Sequence, residues 1–122
     1  MAAKILIVED EPDIVSTTKM ALEASGYEVA VAADGLAALF AVAKENPALI
    51  ILDMMLPKLN GEQVVDELKK NPGYKDIPII LITALSQRNE KEVMCRMDVD
   101  FCLVKPFDLD ELCILVRRLT GS

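Results

Sequence analysis

Short apolar runs recur five times along the chain, separated by stretches in which apolar residues follow a helical spacing. The runs span residues 5–8, 29–31, 49–52, 79–82 and 101–104. They are rich in β-branched residues, which is typical of strands buried on both faces of a parallel sheet. The second run begins beside the charged residue Glu28, which suits a strand at the edge of the sheet.

The stretches between the runs place apolar residues at the i, i+3, i+4 and i+7 spacing of amphipathic helices. Four stripes are clear: Leu36, Leu39, Phe40 and Ala43; Gly61, Val64, Val65 and Leu68; Val93, Met94 and Met97; and Leu109, Leu112, Cys113 and Val116. Residues 13–25 form a weaker fifth amphipathic stretch, and Asp108 with Glu111 resembles a capping box. The alternation predicts one doubly wound α/β domain over residues 1–122, with a five-stranded parallel sheet and five helices.

Polar residues follow four of the five predicted strands, at the point where each strand ends. Glu9 and Asp10 follow the first run, Asp53 the third, Thr83 the fourth and Lys105 the fifth. The carboxyl ends of parallel strands meet at one edge of a sheet, and open α/β sheets bind ligands there, where the strand order reverses. In the order 2-1-3-4-5, Asp10 and Asp53 flank that point.

This set of residue types points to a particular chemistry. Carboxylates that lie close together repel one another, and a hard divalent cation such as Mg²⁺ removes that repulsion while keeping positions free for phosphate oxygens. Lys105 adds a positive charge and Thr83 a hydroxyl donor. A carboxylate nucleophile, a metal, a lysine and a hydroxyl are the groups that phosphoryl transfer onto an aspartate requires.

Each of these residues also has an ordinary explanation when it is taken alone. The acids from Glu9 to Asp13 are typical of a solvated loop that precedes a helix, and Lys105 before Pro106 is typical of a surface loop. Asp53 can simply open a loop, and Thr83 can simply end a strand. Their joint placement at strand ends favours a site.

Composition excludes several classes of function. The chain carries 13 lysines and arginines against 20 aspartates and glutamates, a net charge of -7 that disfavours direct binding to nucleic acids or anionic membranes. It contains no histidine, which excludes Ser-His-Asp and Cys-His catalysis and histidine metal ligands. Its three cysteines, Cys95, Cys102 and Cys113, lack a C-x-x-C spacing, and we expect buried thiols in a reducing cytoplasm.

Five segments, in this order and spacing, give the chain a specific resemblance. They are ILIVEDE at 5–11, ILDMMLP at 51–57, NG at 60–61, LITA at 81–84 and LVKPF at 103–107. Over residues 4–119 the chain resembles the receiver domain of two-component response regulators. The resemblance implies a flavodoxin-like receiver fold with strand order 2-1-3-4-5.

The resemblance also implies a role for each site residue. Asp53 would be the phosphoacceptor, and Asp10, Asp53 and the backbone carbonyl of Met55 would bind Mg²⁺ directly, with Glu9 acting through water. Thr83 and Lys105 would contact the phosphoryl group, and the bond between Lys105 and Pro106 would be cis.

Partners follow from the same resemblance. A histidine kinase or a histidine phosphotransfer protein would donate the phosphoryl group, and the output would go to a downstream protein or an attached effector domain. Thr83 would couple the site to position 102, where the family usually has an aromatic residue and this chain has Cys102.

The predicted fourth helix, fifth strand and fifth helix would form the output face, which includes Lys91, Phe101, Glu111 and a partly exposed Leu115. Lys91 and Glu111 could pair across a dimer formed through this face. Phe101 and Leu115 are uncharged at the positions of a second such pair.

Two alternative functions fit the sequence less well. An aspartyl-phosphate hydrolase would normally carry a second aspartate at position 55, which is Met55 here. A flavodoxin-like electron carrier would need a hydroxyl- and glycine-rich loop after the first strand and aromatic residues around its flavin, but only 4% of the residues are aromatic. In the receiver family that the chain resembles, the positions of Met55 and Leu85 are the ones best placed to orient a water for hydrolysis. Both residues are apolar here, so the resemblance implies a long-lived phosphorylated state.

Overall fold

Five parallel strands form a single sheet in the computed structural model, which describes residues 2–84 and 98–121. The strands are β1 (Lys4–Val8), β2 (Glu28–Ala32), β3 (Leu49–Asp53), β4 (Ile79–Thr83) and β5 (Phe101–Val104). Their order is β2-β1-β3-β4-β5, so the predicted strands and the predicted order are both confirmed. The strand that begins at Glu28 lies at the edge of the sheet, as its charge indicates.

Four helices lie within the described residues, three between consecutive strands and one after β5. They are α1 (Pro12–Ala24), α2 (Gly35–Glu45), α3 (Gly61–Lys70) and α4 (Leu109–Thr120). The remaining predicted helix, with Val93, Met94 and Met97, falls outside the described residues, as do Leu85, Lys91 and Cys95. None of these four helices is long and apolar enough to cross a membrane.

The core lies on both faces of the sheet because successive strand residues point in opposite directions. Leu6, Ile50 and Leu81 pack on the face covered by α2 and α3. Ile7, Ile51 and Ile80 pack on the other face, against residues of α1 and α4. A sheet buried on both faces needs apolar residues at every position of its central strands, which is why those strands appear as continuous apolar runs.

Helix α2 buries a different face from the one that its large apolar residues predict. Phe40 is 72% exposed and Leu36 is also exposed, whereas Ala38 and Val42 are fully buried. At the start of the helix, a Cβ atom on Gly35 would lie 2.6 Å from the Cβ atom of Leu59. The small residues therefore face inward because this helix packs close to its neighbours.

Three smaller expectations are corrected by the packing. Leu115 is only 7% exposed and belongs to the core, because α4 turns it towards the sheet, whereas Cys113 is only partly buried. Asp108 caps α4 by accepting a hydrogen bond from the N–H of Asp110 at 2.8 Å. The reciprocal capping box occurs instead at α3, between Asn60 and Gln63.

Candidate functional site

The register of the sheet brings the polar strand ends together. Val8 pairs with Leu52, Asp53 pairs with Ile82, and Thr83 pairs with Val104. Because all strands run in parallel, the residues that follow them leave the sheet at the same edge. Glu9, Asp53, Thr83 and Lys105 are therefore neighbours although they lie far apart in the sequence.

Asp53 is a buried carboxylate held at both oxygens. Its Oδ1 atom accepts a hydrogen bond from the backbone N–H of Met55 at 3.0 Å. Its Oδ2 atom accepts one from the Nζ atom of Lys105, also at 3.0 Å. Buried carboxylates need such partners, and these two contacts fix the orientation of the group.

Glu9 is a second buried carboxylate, and it organises the loop that follows β1. Its Oε2 atom accepts hydrogen bonds from the backbone N–H groups of Asp10 and Glu11, at 3.1 and 3.3 Å. Its Oε1 atom lies 3.3 Å from Nζ of Lys105. Burial, together with the nearby carboxylate of Asp53, raises the pKa of Glu9 from 4.5 to about 7.

Lys105 is the cation on which these carboxylates converge. Its side chain is 18% exposed, and its Nζ atom contacts Asp53, Glu9 and Glu11 within 3.3 Å. Burial by itself lowers the pKa of Lys105, but the hydrogen bond and the charge of Asp53, with Glu11 and Glu9, raise it above its ordinary value. The ammonium group therefore stays charged across the physiological pH range. The peptide bond to Pro106 is cis, as predicted.

Glu9, Asp10 and Asp53 could together hold a metal ion. Each offers one carboxylate oxygen, and these oxygens all lie within 4.8 Å of one another. Asp10 is exposed to solvent, whereas the other two are buried. An all-oxygen donor set that leaves an open side suits Mg²⁺, which binds few carboxylates and keeps other positions for water or phosphate. Burial is the main cause of the raised pKa of Glu9, and the charge of Asp53 adds to it; a bound cation would favour the ionised form of the group.

The first residue of α3 packs against the loop that follows Asp53 and holds it in place. The N–H of Gly61 donates to the carbonyl of Met54 at 2.9 Å. A Cβ atom on Gly61 would lie 2.7 Å from the Cα atom of Met54 and 2.9 Å from the carbonyl oxygen of Asp53. Only glycine allows α3 to approach this closely, so Gly61 positions the loop that carries Asp53 and Met55.

Thr83 is buried at the end of β4, and its carbonyl accepts the N–H of Lys105 at 2.8 Å. Together with Met54, Met55 and Ala84 it lines a mostly apolar cavity of about 260 Å³. Met55 is 71% exposed at this cavity. Thr83 therefore lies beside a cavity that is bounded by the loop that follows Asp53.

The structure brings only some of the predicted switch and output residues to one exposed surface. Cys102 is buried and pairs with Leu81 in the sheet, whereas Val104 is the residue that pairs with Thr83. Phe101 and Glu111 are exposed, but Leu115 is in the core. The pairing of Lys91 with Glu111 falls outside the described residues.

Glu11 contacts Lys105, although the sequence did not indicate a role for it. Its Oε1 atom lies 3.2 Å from Nζ of Lys105. Four acids follow β1 within five residues, and only their positions in space separate a side chain that contacts the site from a solvated one. The sequence therefore carries no signal that distinguishes Glu11 from Asp13.

Comparisons with known proteins agree with this geometry. The profile of the response regulator receiver domain matches residues 5–117. The chain is similar to a DNA-binding dual master transcriptional regulator, RpaA of Synechocystis, with 38% identity over 95% of this chain and 48% of that protein. The chain thus spans about half the length of the curated relatives that it matches.

Two solved structures show the same architecture. The receiver domain of a Francisella response regulator superposes with a TM-score of 0.89 at 34% identity, covering 98% of this chain and 97% of that one. The receiver domain of a sensor histidine kinase from Pseudomonas aeruginosa, with magnesium coordinated in its active site cleft, superposes with a TM-score of 0.89 at 30% identity over the whole of both chains. The chain described here therefore belongs to the response regulator receiver domain family.

Proposed function

We propose that this receiver is phosphorylated on Asp53, in a reaction that depends on Mg²⁺. The ion would be held by Asp10, Asp53 and the carbonyl of Met55, with Glu9 acting through water. The observation that carries the proposal is the position of Asp53. It is a buried carboxylate within 4.8 Å of two other acids and 3.0 Å from Lys105. Acidic oxygens on one side and an ammonium group on the other are what phosphoryl transfer to a carboxylate requires.

The surrounding residues prepare Asp53 for this reaction. The N–H of Met55 and the ammonium group of Lys105 hold its two oxygens, so the carboxylate does not rotate. A bound Mg²⁺ supplies the positive charge that offsets the charge developing on the phosphoryl oxygens. Once the phosphoryl group is attached, Lys105 can donate to its oxygens, and the hydroxyl of Thr83 can donate from the adjacent cavity.

The phosphoryl donor in this proposal is a phosphohistidine on another protein, either a histidine kinase or a histidine phosphotransfer protein. Residues 1–122 contain no histidine, so the donor histidine lies outside this domain. The domain would act in the cytoplasm, where the thiols of Cys102 and Cys113 would stay reduced. Residues 1–122 form one receiver unit in this proposal.

Phosphorylation would shift an equilibrium between two states of the domain, and partners would detect the shift. We place the output face around Phe101 and Glu111, both exposed near β5 and α4. The occupant is a downstream protein, an attached effector domain or a second copy of the chain. The net charge of -7 supports an output through protein contacts rather than through direct DNA binding by this domain.

Mass spectrometry after incubation with acetyl phosphate and Mg²⁺ tests the proposal. The parent protein should gain the mass of one phosphoryl group, and Asp53→Asn should gain none. Asp66→Asn, a change at an exposed acid of α3, is the matched control and should behave like the parent. Stoichiometric labelling of Asp53→Asn would contradict the assignment.

A further inference from the structure

Lys105 contacts three carboxylates, and the proposed phosphorylation would affect each of them differently. Its Nζ atom lies 3.0 Å from Asp53, 3.2 Å from Glu11 and 3.3 Å from Glu9. Hydrogen bonds to Asp53 and Glu11 use two of the three donors of this ammonium group, and Glu9 is its ion-pair neighbour. A new acceptor therefore competes with three carboxylates for the same cation.

Two of the three acids are committed to the proposed reaction, and Glu11 is not. Asp53 accepts the phosphoryl group, and Glu9 belongs to the group of acids whose oxygens could hold a metal. Glu11 is not a member of that group, and its side chain is 60% exposed. It therefore keeps its negative charge and its access to Lys105 when Asp53 carries the phosphoryl group and a cation binds the acidic cluster.

The local structure aims Glu11 at Lys105. Glu11 occupies the N-cap position of α1, and its side chain makes no capping hydrogen bond to the first turn. Its carboxylate contacts Lys105 instead. The backbone N–H of Glu11 is held by Glu9 at 3.3 Å, which fixes the point from which the side chain extends.

We infer that Glu11 is a positioning residue that competes with the phosphoryl group for Lys105 and so weakens the hold of the site on an anion attached to Asp53. This inference rests on the proposed function. Its physical basis is twofold. Glu11 occupies one donor of Lys105, and it offsets part of the ammonium charge that would otherwise stabilise the phosphoryl oxygens.

Binding of beryllofluoride, a phosphoryl stand-in, at saturating Mg²⁺ tests this inference. Glu11→Gln keeps the size of the side chain but removes its charge, and it should bind beryllofluoride about threefold more tightly, the size expected of a partly exposed ion pair. Asp13→Asn is the matched control. It removes the same charge from the first turn of α1, and Asp13 is not a partner of Lys105, so its affinity should stay near that of the parent.

A double-mutant cycle with Lys105→Ala separates competition from simple repulsion. If Glu11 acts through Lys105, the gain from Glu11→Gln should shrink towards zero in the Lys105→Ala background. A metal-free readout is available in the ¹⁵N–¹H signal of the Lys105 ammonium group, which should move in Glu11→Gln and not in Asp13→Asn.

The outcomes that overturn the inference differ from those that overturn the proposed function. Three results would overturn the role of Glu11 and leave the proposed function intact. They are equal gains in affinity in Glu11→Gln and Asp13→Asn, no gain in either variant, and a gain that persists in the Lys105→Ala background. Failure of the parent protein to bind beryllofluoride with Mg²⁺ would overturn the proposed function and this inference together.

Discussion

The Nζ atom of Lys105 lies 3.0 Å from Oδ2 of Asp53, although 52 residues separate the two in the chain. This lysine is the counter-ion of a buried carboxylate and of two further acids. We therefore expect the contact to contribute to the stability of the fold as well as to the proposed site.

Replacing Lys105 by alanine should destabilise the metal-free protein by about 2 kcal/mol, because Asp53 and Glu9 would be left buried without their cation. Urea unfolding without metal measures this loss. Addition of Mg²⁺ should recover much of it, since the affinity for Mg²⁺ should not fall when a competing cation is removed. Unchanged stability without Mg²⁺ would show that the ion pairs contribute nothing to the fold. The exposed pair of Lys70 with Glu67 offers the control, and Lys70→Ala should have little effect.

Stability should fall as the pH rises from about 5 to 8 in the absence of metal. The pKa of Glu9 is about 7 in the folded chain and near 4.5 when unfolded, so the folded state binds more protons between these values. The contribution of Glu9 is present below pH 4.5 and is lost as the pH rises through about 7. Unfolding free energies measured across this range should show the decline.

Two controls separate the titration of Glu9 from the general effect of the acidic net charge. Glu9→Gln removes the titrating group and should flatten the slope relative to the parent protein. Mg²⁺ stabilises the ionised cluster and should also flatten it. A parent and a Glu9→Gln variant with the same slope would exclude Glu9 as the cause.

Gly61→Ala should destabilise the protein by about 2 kcal/mol, the range for overpacking against atoms that cannot move freely. The new methyl group would meet the backbone of Met54 and Asp53, so affinity for Mg²⁺ should also fall. Gly73→Ala is the matched control, because its nearest neighbour would be the side-chain Oδ1 atom of Asn71 at 3.3 Å. Thermal unfolding and a Mg²⁺ titration of both variants measure the difference.

Thr18→Val should stabilise the protein by about 1 kcal/mol. The Oγ1 atom of Thr18 is buried in α1 without a hydrogen-bond partner in the part of the chain that the structure describes, and valine has nearly the same shape without the unpaired hydroxyl. Thr17→Val is the control at an exposed neighbouring position, where the hydroxyl donates to the carbonyl of Asp13 at 3.0 Å. A rise in melting temperature for both variants would point to helix propensity instead.

Met55→Asn should shorten the lifetime of the phosphorylated state about tenfold, because an amide there can orient a water that methionine cannot. The side chain of Met55 is exposed beside the cavity that Thr83 lines. Decay after removal of the donor, with Mg²⁺ present, gives the rate. Met20→Asn changes an equally exposed methionine on α1 and should leave the rate unaltered. Slower decay in Met55→Asn than in the parent would refute the role of this position.

The sequence by itself determined the sheet and most of the site. Buried parallel strands need uninterrupted apolar residues, and this makes each strand of the core visible as a run such as 49–52 or 79–82. Because the carboxyl ends of parallel strands share one edge, Asp53, Thr83 and Lys105 could be placed together before any distance was known. The apolar stripe of α3 predicted the buried face of this helix equally well, because polar residues fill its other face.

Only the tertiary structure decided which apolar residues of α2 and α4 are buried. Helix α2 is apolar nearly all round, so its periodicity could not choose between Phe40 and Ala38, and the close approach of neighbouring elements selected the small residues. Leu115 likewise entered the core through the rotation of α4. The contact between Glu11 and Lys105 depends on which of several consecutive acids turns towards the sheet edge, and this follows from the backbone that Glu9 holds rather than from residue type.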